Sequence, residues 1–129
     1  MLILDENFPE NQRQLLLKRR MAVRQVGYEV GRKGLKDNEI VSLLYQLQNP
    51  TFFTLDSDFY KPKLCHLHYC LVYLDVGQNE AAFFVRRFMR QPGYKTYNQR
   101  KGKVIRISHI GISVWLINAE RETHTDWQA

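Results

Sequence analysis

The sequence predicts an α/β protein built on a mainly parallel sheet flanked by helices, and three observations carry that prediction. Short apolar runs of strand length alternate with amphipathic runs of helix length. Two of the apolar runs, residues 1–4 and 51–55, break straight into acids, at Asp5-Glu6 and at Asp56-Ser57-Asp58. In open sheets of this class the site lies beyond the carboxyl ends of strands, where the strand order reverses. Acids delivered to strand ends are therefore where chemistry is expected.

Taken in order, residues 1–4 form a strand, and Asn7 and Pro9 turn the chain into a helix over residues 8–20. That helix offers Leu15, Leu16 and Leu17 for burial and ends in cations that suit its carboxyl terminus. Residues 22–26 make a second strand. Residues 27–36 carry three glycines among basic residues and read as a flexible loop able to approach a ligand closely. Asp37 is the expected N-cap of a second helix, with Ile40, Val41, Leu43, Leu44 and Leu47 at helical spacing until Asn49-Pro50 stops it. Residues 51–55 are β-branched and aromatic, a third strand.

Residues 59–68 show no period, and residues 69–74 form a fourth strand. A third helix over residues 79–90 buries Ala82, Phe83, Val85, Phe88 and Met89 before Pro92-Gly93 ends it. Residues 91–103 are polar and basic, a mobile loop. Residues 104–108 and 112–117 flank a turn at Gly111 and predict a C-terminal β-hairpin. The polar stretch beyond residue 118 is expected to be disordered or to dock on a partner. The strand order 2-1-3-4 is preferred because it brings Asp5 and Asp56 together.

At 129 residues, 44% of them hydrophobic, the chain can bury one substantial core. No 18-residue apolar run occurs and Asp5 interrupts the start, so neither a membrane span nor a signal peptide is expected, and the cytoplasm is the expected location. Cys65 and Cys70 are expected as reduced thiols. The net charge of +6 favours a polyanionic partner.

Acids gathered inside a basic chain suit a metal-dependent nuclease, in which carboxylates hold the ion and cations hold phosphates. Asp5, Asp56, Asp58 and one of Asp37 and Glu39 are the candidate acids. At an effective dielectric near 20, each like-charged pair at about 4 Å costs on the order of 4 kcal/mol, so the group must spread, bind protons or bind a cation. All-oxygen ligands select Mg²⁺ or Mn²⁺ over zinc. Asp58 is the candidate for orienting or deprotonating the attacking water, with Asn7 and Thr54 supporting the ligands. Arg32, Lys33 and Lys36 are the expected phosphate contacts, followed by Lys61 and Lys63.

The segments Leu4 to Pro9, Gly34 to Ile40 and Thr54 to Phe59 resemble, in order, the three acidic motifs of PIN-like domains, in the compact branch related to VapC-type toxin ribonucleases. The resemblance implies a Rossmann-like PIN fold over residues 1–118, with residues 119–129 as a polar C-terminal tail. It further implies a Mg²⁺- or Mn²⁺-dependent endoribonuclease acting on RNA, commonly the toxin of a type II pair with an antitoxin protein as partner. Carried over by motif, Asp5 and Asp56 are core metal ligands, and Asp37 and Glu39 both fit the middle position. Two other classes stand beside this one: a non-catalytic PIN-like module that binds nucleic acid or protein, and a response-regulator receiver phosphorylated on Asp56. The receiver needs a hydroxyl residue after strand four, where Asp75 stands, and a Lys after strand five.

Overall fold

The computed structural model describes residues 1–128. Its elements in chain order are β1 (Leu2–Leu4), α1 (Glu10–Lys18), β2 (Val23–Gln25), α2 (Asp37–Gln46), β3 (Thr51–Thr54), β4 (Cys70–Leu74), α3 (Ala81–Arg90), α4 (Tyr97–Arg100), β5 (Val104–Ile107), β6 (Gly111–Trp115) and β7 (Thr123–Asp126). The strands form one sheet in the order β2-β1-β3-β4-β5-β6-β7. The first five in that row are parallel and the last two pairings are antiparallel. This is an α/β architecture with a mostly parallel sheet flanked by helices, compatible with a Rossmann-like fold. The order reverses at β1, so the ends of β1 and β3 meet.

Alternate strand residues feed two separate cores. Leu4, Phe53, Val72, Ile105 and Val114 face α1 and α3, while Ile3, Phe52, Leu71 and Val104 face α2. Helical geometry selects which candidates go inside. On α1 only Leu16 of the three leucines is fully buried, with Leu15 and Leu17 left outside, and its neighbour inside is Gln12. Gln12 accepts the backbone N–H of Ala82 at 2.9 Å, filling one of the donors that the first turn of α3 cannot satisfy itself. On α3 the buried residues are Ala81, Ala82, Phe84, Val85 and Phe88, so Ala82, Val85 and Phe88 are inside as expected while Phe83 is exposed and Phe84 takes its place. Ala81, Phe84, Val85 and Phe88 make an i, i+3, i+4, i+7 stripe, and the small Ala82 fits beside it.

Three further expectations are corrected. Residues 91–103 are not a free loop: Thr96 caps the short α4, and Arg100 is buried, donating to Thr51 Oγ1 at 3.1 Å and to the Tyr94 carbonyl at 2.9 Å. The C-terminal stretch contributes β7, and Trp127 docks on the α3 side, donating to the Ser108 carbonyl at 2.7 Å. Gly111 permits that pairing, since a Cβ there would meet the Thr125 carbonyl oxygen at 2.2 Å. The glycine loop is pinned by the chain itself: Gly34, at φ +80°, donates its N–H to the Glu6 carboxylate at 2.9 Å. Cys65 and Cys70 are free thiols, and burial pushes the Cys70 thiol up to about 12. No helix among the described residues is long and apolar enough to cross a membrane.

Candidate metal centre

The site is assembled from the turn that follows β1. The Asp5 N–H still pairs with the Phe53 carbonyl at 3.0 Å, but Asp5's own carbonyl accepts from Phe8 N–H, so the chain bends at once. Gln25 on β2 locks the bend, its amide nitrogen reaching the carbonyls of Asp5, Glu6 and Phe8 at 3.0, 3.1 and 3.2 Å. The Asp5 carboxylate is thereby held in a buried position. Burial pushes its carboxyl above the usual range. The Thr54 hydroxyl and the backbone N–H groups of Glu6 and Asn7 pull it back, and the Asp56 charge raises it again.

The end of β3 supplies the next acids through a short chain of hydrogen bonds. Thr54 donates to Asp5 Oδ2 at 2.6 Å and accepts the N–H of Asp56 at 3.0 Å. Asp56 Oδ1 in turn accepts the N–H of Asp58 at 2.9 Å, opening a 3-10 turn over Ser57–Phe59. Phe59 on that turn is buried against Phe52, which fixes the turn to the sheet. These acids are thus tied to the core through one aromatic pair and one threonine.

Asp37 completes the cluster from α2. Lys36, not Asp37, is the N-cap, so Asp37 is the first helical residue and its side chain is released toward the strand ends. Asp37, Asp56 and Asp58 each place a carboxylate oxygen within 4.8 Å of the others. The Asp37 carboxyl is raised by burial and then by the charges of Asp56 and Asp58, with Lys61 opposing them. Glu39, the other candidate from the middle motif, is committed elsewhere. It accepts the Lys36 N–H at 3.0 Å and pairs with Arg32 at 3.0 Å, beside a separate hollow that also touches Gly31 and Leu43.

Two hollows flank Asp56's neighbourhood. One, of about 280 Å³, is bounded by Asp5, Asn7, Leu55, Asp56 and Gln78. The other, of about 180 Å³, is bounded by residues that include Asp37, Asp58, Lys61 and Lys63. Of the five basic residues singled out from the sequence, Lys61 and Lys63 stand at the acids. Arg32 is bound to Glu39, Lys33 lies 5.0 Å from the centroid of the Tyr28 ring, and Lys36 caps α2. Thr54 bonds both Asp5 and Asp56, and Asn7 lines the hollow that those two acids share.

Asp5 itself stands apart from the converging triad, with one oxygen already taken by Thr54. Gln25 and Gln78 were missed by sequence reasoning. Gln25 carried a usable signal, as a polar residue at an inward position of a strand; Gln78 lies in a turn and carried none. The triad's donor set suits a hard divalent cation: three carboxylates, each offering an oxygen within 4.8 Å of the others, with no nitrogen or sulfur ligand among them. Compared with family models, curated proteins and solved structures, the chain gives no significant match.

Proposed function

We propose that this chain is a metal-dependent endoribonuclease of the PIN-like type, hydrolysing phosphodiester bonds at the carboxyl edge of the sheet. The observation that carries the proposal is the convergence of Asp37, Asp56 and Asp58, from two separate elements, on one point beside Lys61 and Lys63. Mg²⁺ or Mn²⁺ held there supplies Lewis acidity toward the phosphate and lowers the pKa of water. Asp37, Asp56 and Asp58 would hold the ion, and the like-charge repulsion around Asp37, only partly offset by Lys61, favours its binding. Asp5, with one oxygen fixed by Thr54 and a raised carboxyl, serves as the proton acceptor facing the hollow it shares with Asp56. Asn7 and Gln78 offer neutral amide donors on that hollow's wall, and Lys61 and Lys63 bind flanking phosphates.

The receiver reading needs a lysine beyond β5, where Ser108 and His109 stand. The test is cleavage of single-stranded RNA with Mg²⁺ or Mn²⁺, stopped by EDTA and restored by returning the ion. Cleavage that persists in EDTA overturns the metal mechanism. RNA binding with no cleavage under any divalent ion selects the non-catalytic module instead.

A further inference from the structure

Beyond the acids, one row of the sheet changes character. On the face that packs against α2, the register partners Phe52, Leu71, Val104 and Trp115 are apolar. The next row on the same face, toward the acidic edge, reads Thr54, Tyr73, Arg106 and Ser113. This polar row begins at the threonine that binds Asp5 and Asp56, and it leads away from them across the sheet.

Arg106 is the unexplained member. It forms no ion pair among the described residues, and its buried Nε has no hydrogen-bond partner. Its guanidinium lies 5.8 Å from the centroid of the Tyr60 ring, and the Tyr60 and Tyr73 rings are 6.3 Å apart at a tilt of 38°. The nearby carboxylates are spent on the phenols: Tyr60 donates to Glu122 and Tyr73 donates to Asp75. Those bonds orient the rings while the cation stays unpaired. All three side chains are half-buried, so each keeps an open surface.

A guanidinium with spare donors beside two half-buried tyrosines has the chemistry of a nucleotide subsite, in which the cation meets a phosphate and a ring meets a base. Arg106 is two strand spacings from Thr54, roughly 10 Å, which is beyond the ligands of one ion yet on the same edge. We infer that Tyr60, Tyr73 and Arg106 bind a single-stranded RNA segment next to the scissile phosphate. This rests on the nuclease reading and adds to it the side chains that hold the strand beside the cut: a duplex keeps its bases stacked inside and cannot use the rings.

The experiment is anisotropy of a labelled oligouridylate, titrated with protein in EDTA so that no cleavage occurs, for wild type, Arg106→Gln, Arg106→Lys and Tyr60→Leu. Arg106→Gln is expected to weaken binding about tenfold and to lower the slope of log K against log salt by about 0.7, the share of one single-strand phosphate. Arg106→Lys keeps the slope but binds more weakly than wild type, and Tyr60→Leu loses about tenfold with the slope unchanged. A Mn²⁺-induced rise in melting temperature equal to that of wild type shows that each variant keeps its fold and triad. Wild-type affinity and slope in all three folded variants overturn the subsite while leaving the metal reading intact. Equal binding of duplex and single strand by wild type overturns it as well. Tight single-strand binding without any Mn²⁺ response in wild type strikes the metal reading and spares the subsite.

Discussion

The Thr54 hydroxyl donates to Oδ2 of Asp5 across a 2.6 Å gap, joining the ends of two adjacent parallel strands inside the edge where the acids collect. The same oxygen accepts the Asp56 N–H, so one side chain sets the position of two carboxylates. It also limits how far burial can raise the Asp5 carboxyl.

Replacing that hydroxyl tests its role through pH. Because the folded fold holds the Asp5 carboxyl above its ordinary value, protonation favours the folded state, and the associated stability is present below about pH 4 and lost as pH rises through the folded pKa. Thr54→Val removes the donor and pushes the carboxyl higher. The variant should cost about 1–3 kcal/mol at neutral pH, with the gap to wild type closing in acid. Urea unfolding measured across pH checks this, and a gap independent of pH would show that Asp5 gains nothing from the bond.

Lys61 and Lys63 should carry the phosphate contacts that the sequence assigned first to the glycine loop. Changing both to Gln is expected to lower the RNA salt slope by about 1.4, and the single change Lys61→Gln should raise the Asp37 carboxyl further by removing the one cation that opposes its rise. Arg32→Ala, which breaks only an exposed pair with Glu39, should shift stability by less than about 1 kcal/mol. RNA titrations in increasing salt, together with carboxyl titration by NMR, decide between the two lysine-bearing segments.

Gln12 is predicted to matter for folding alone. Gln12→Leu strands the buried N–H of Ala82 and should cost about 1–3 kcal/mol, while the melting response to Mn²⁺ stays that of wild type. Thermal melts with and without the ion measure both effects on one sample.

Much of this arrangement was legible because apolar strands stop at acids. The runs ending at Asp5 and Asp56 could be read from pattern alone, and the order that joins them followed only from expecting the two acids to meet. The choice between Asp37 and Glu39 could not, since it turns on a one-residue shift of the helix start: with Lys36 as N-cap, Glu39 folds back on the Lys36 N–H and Asp37 is left free. β7 was hidden because Thr123–Asp126 is exposed throughout and shows no apolar alternation. Arg100 was hidden because nothing local distinguishes it from its basic neighbours; only the approach of Thr51 and Tyr94 buries it. Arg106 likewise sits within an ordinary strand pattern, and its meaning comes from the row it joins.

Asp37, Asp56 and Asp58 are proposed to bind a divalent cation in the folded chain. Melting curves of wild type, Asp56→Asn, Asp37→Asn and Glu39→Gln, first in EDTA and then through a Mn²⁺ titration, test it most directly. An ion bound only by the folded state stabilises by about 2.7 kcal/mol at a hundredfold excess over its Kd. Wild type and Glu39→Gln should show that gain, whereas Asp56→Asn and Asp37→Asn should show little of it despite melting no lower in EDTA. An equal response in all four proteins, or none in wild type, would contradict the account.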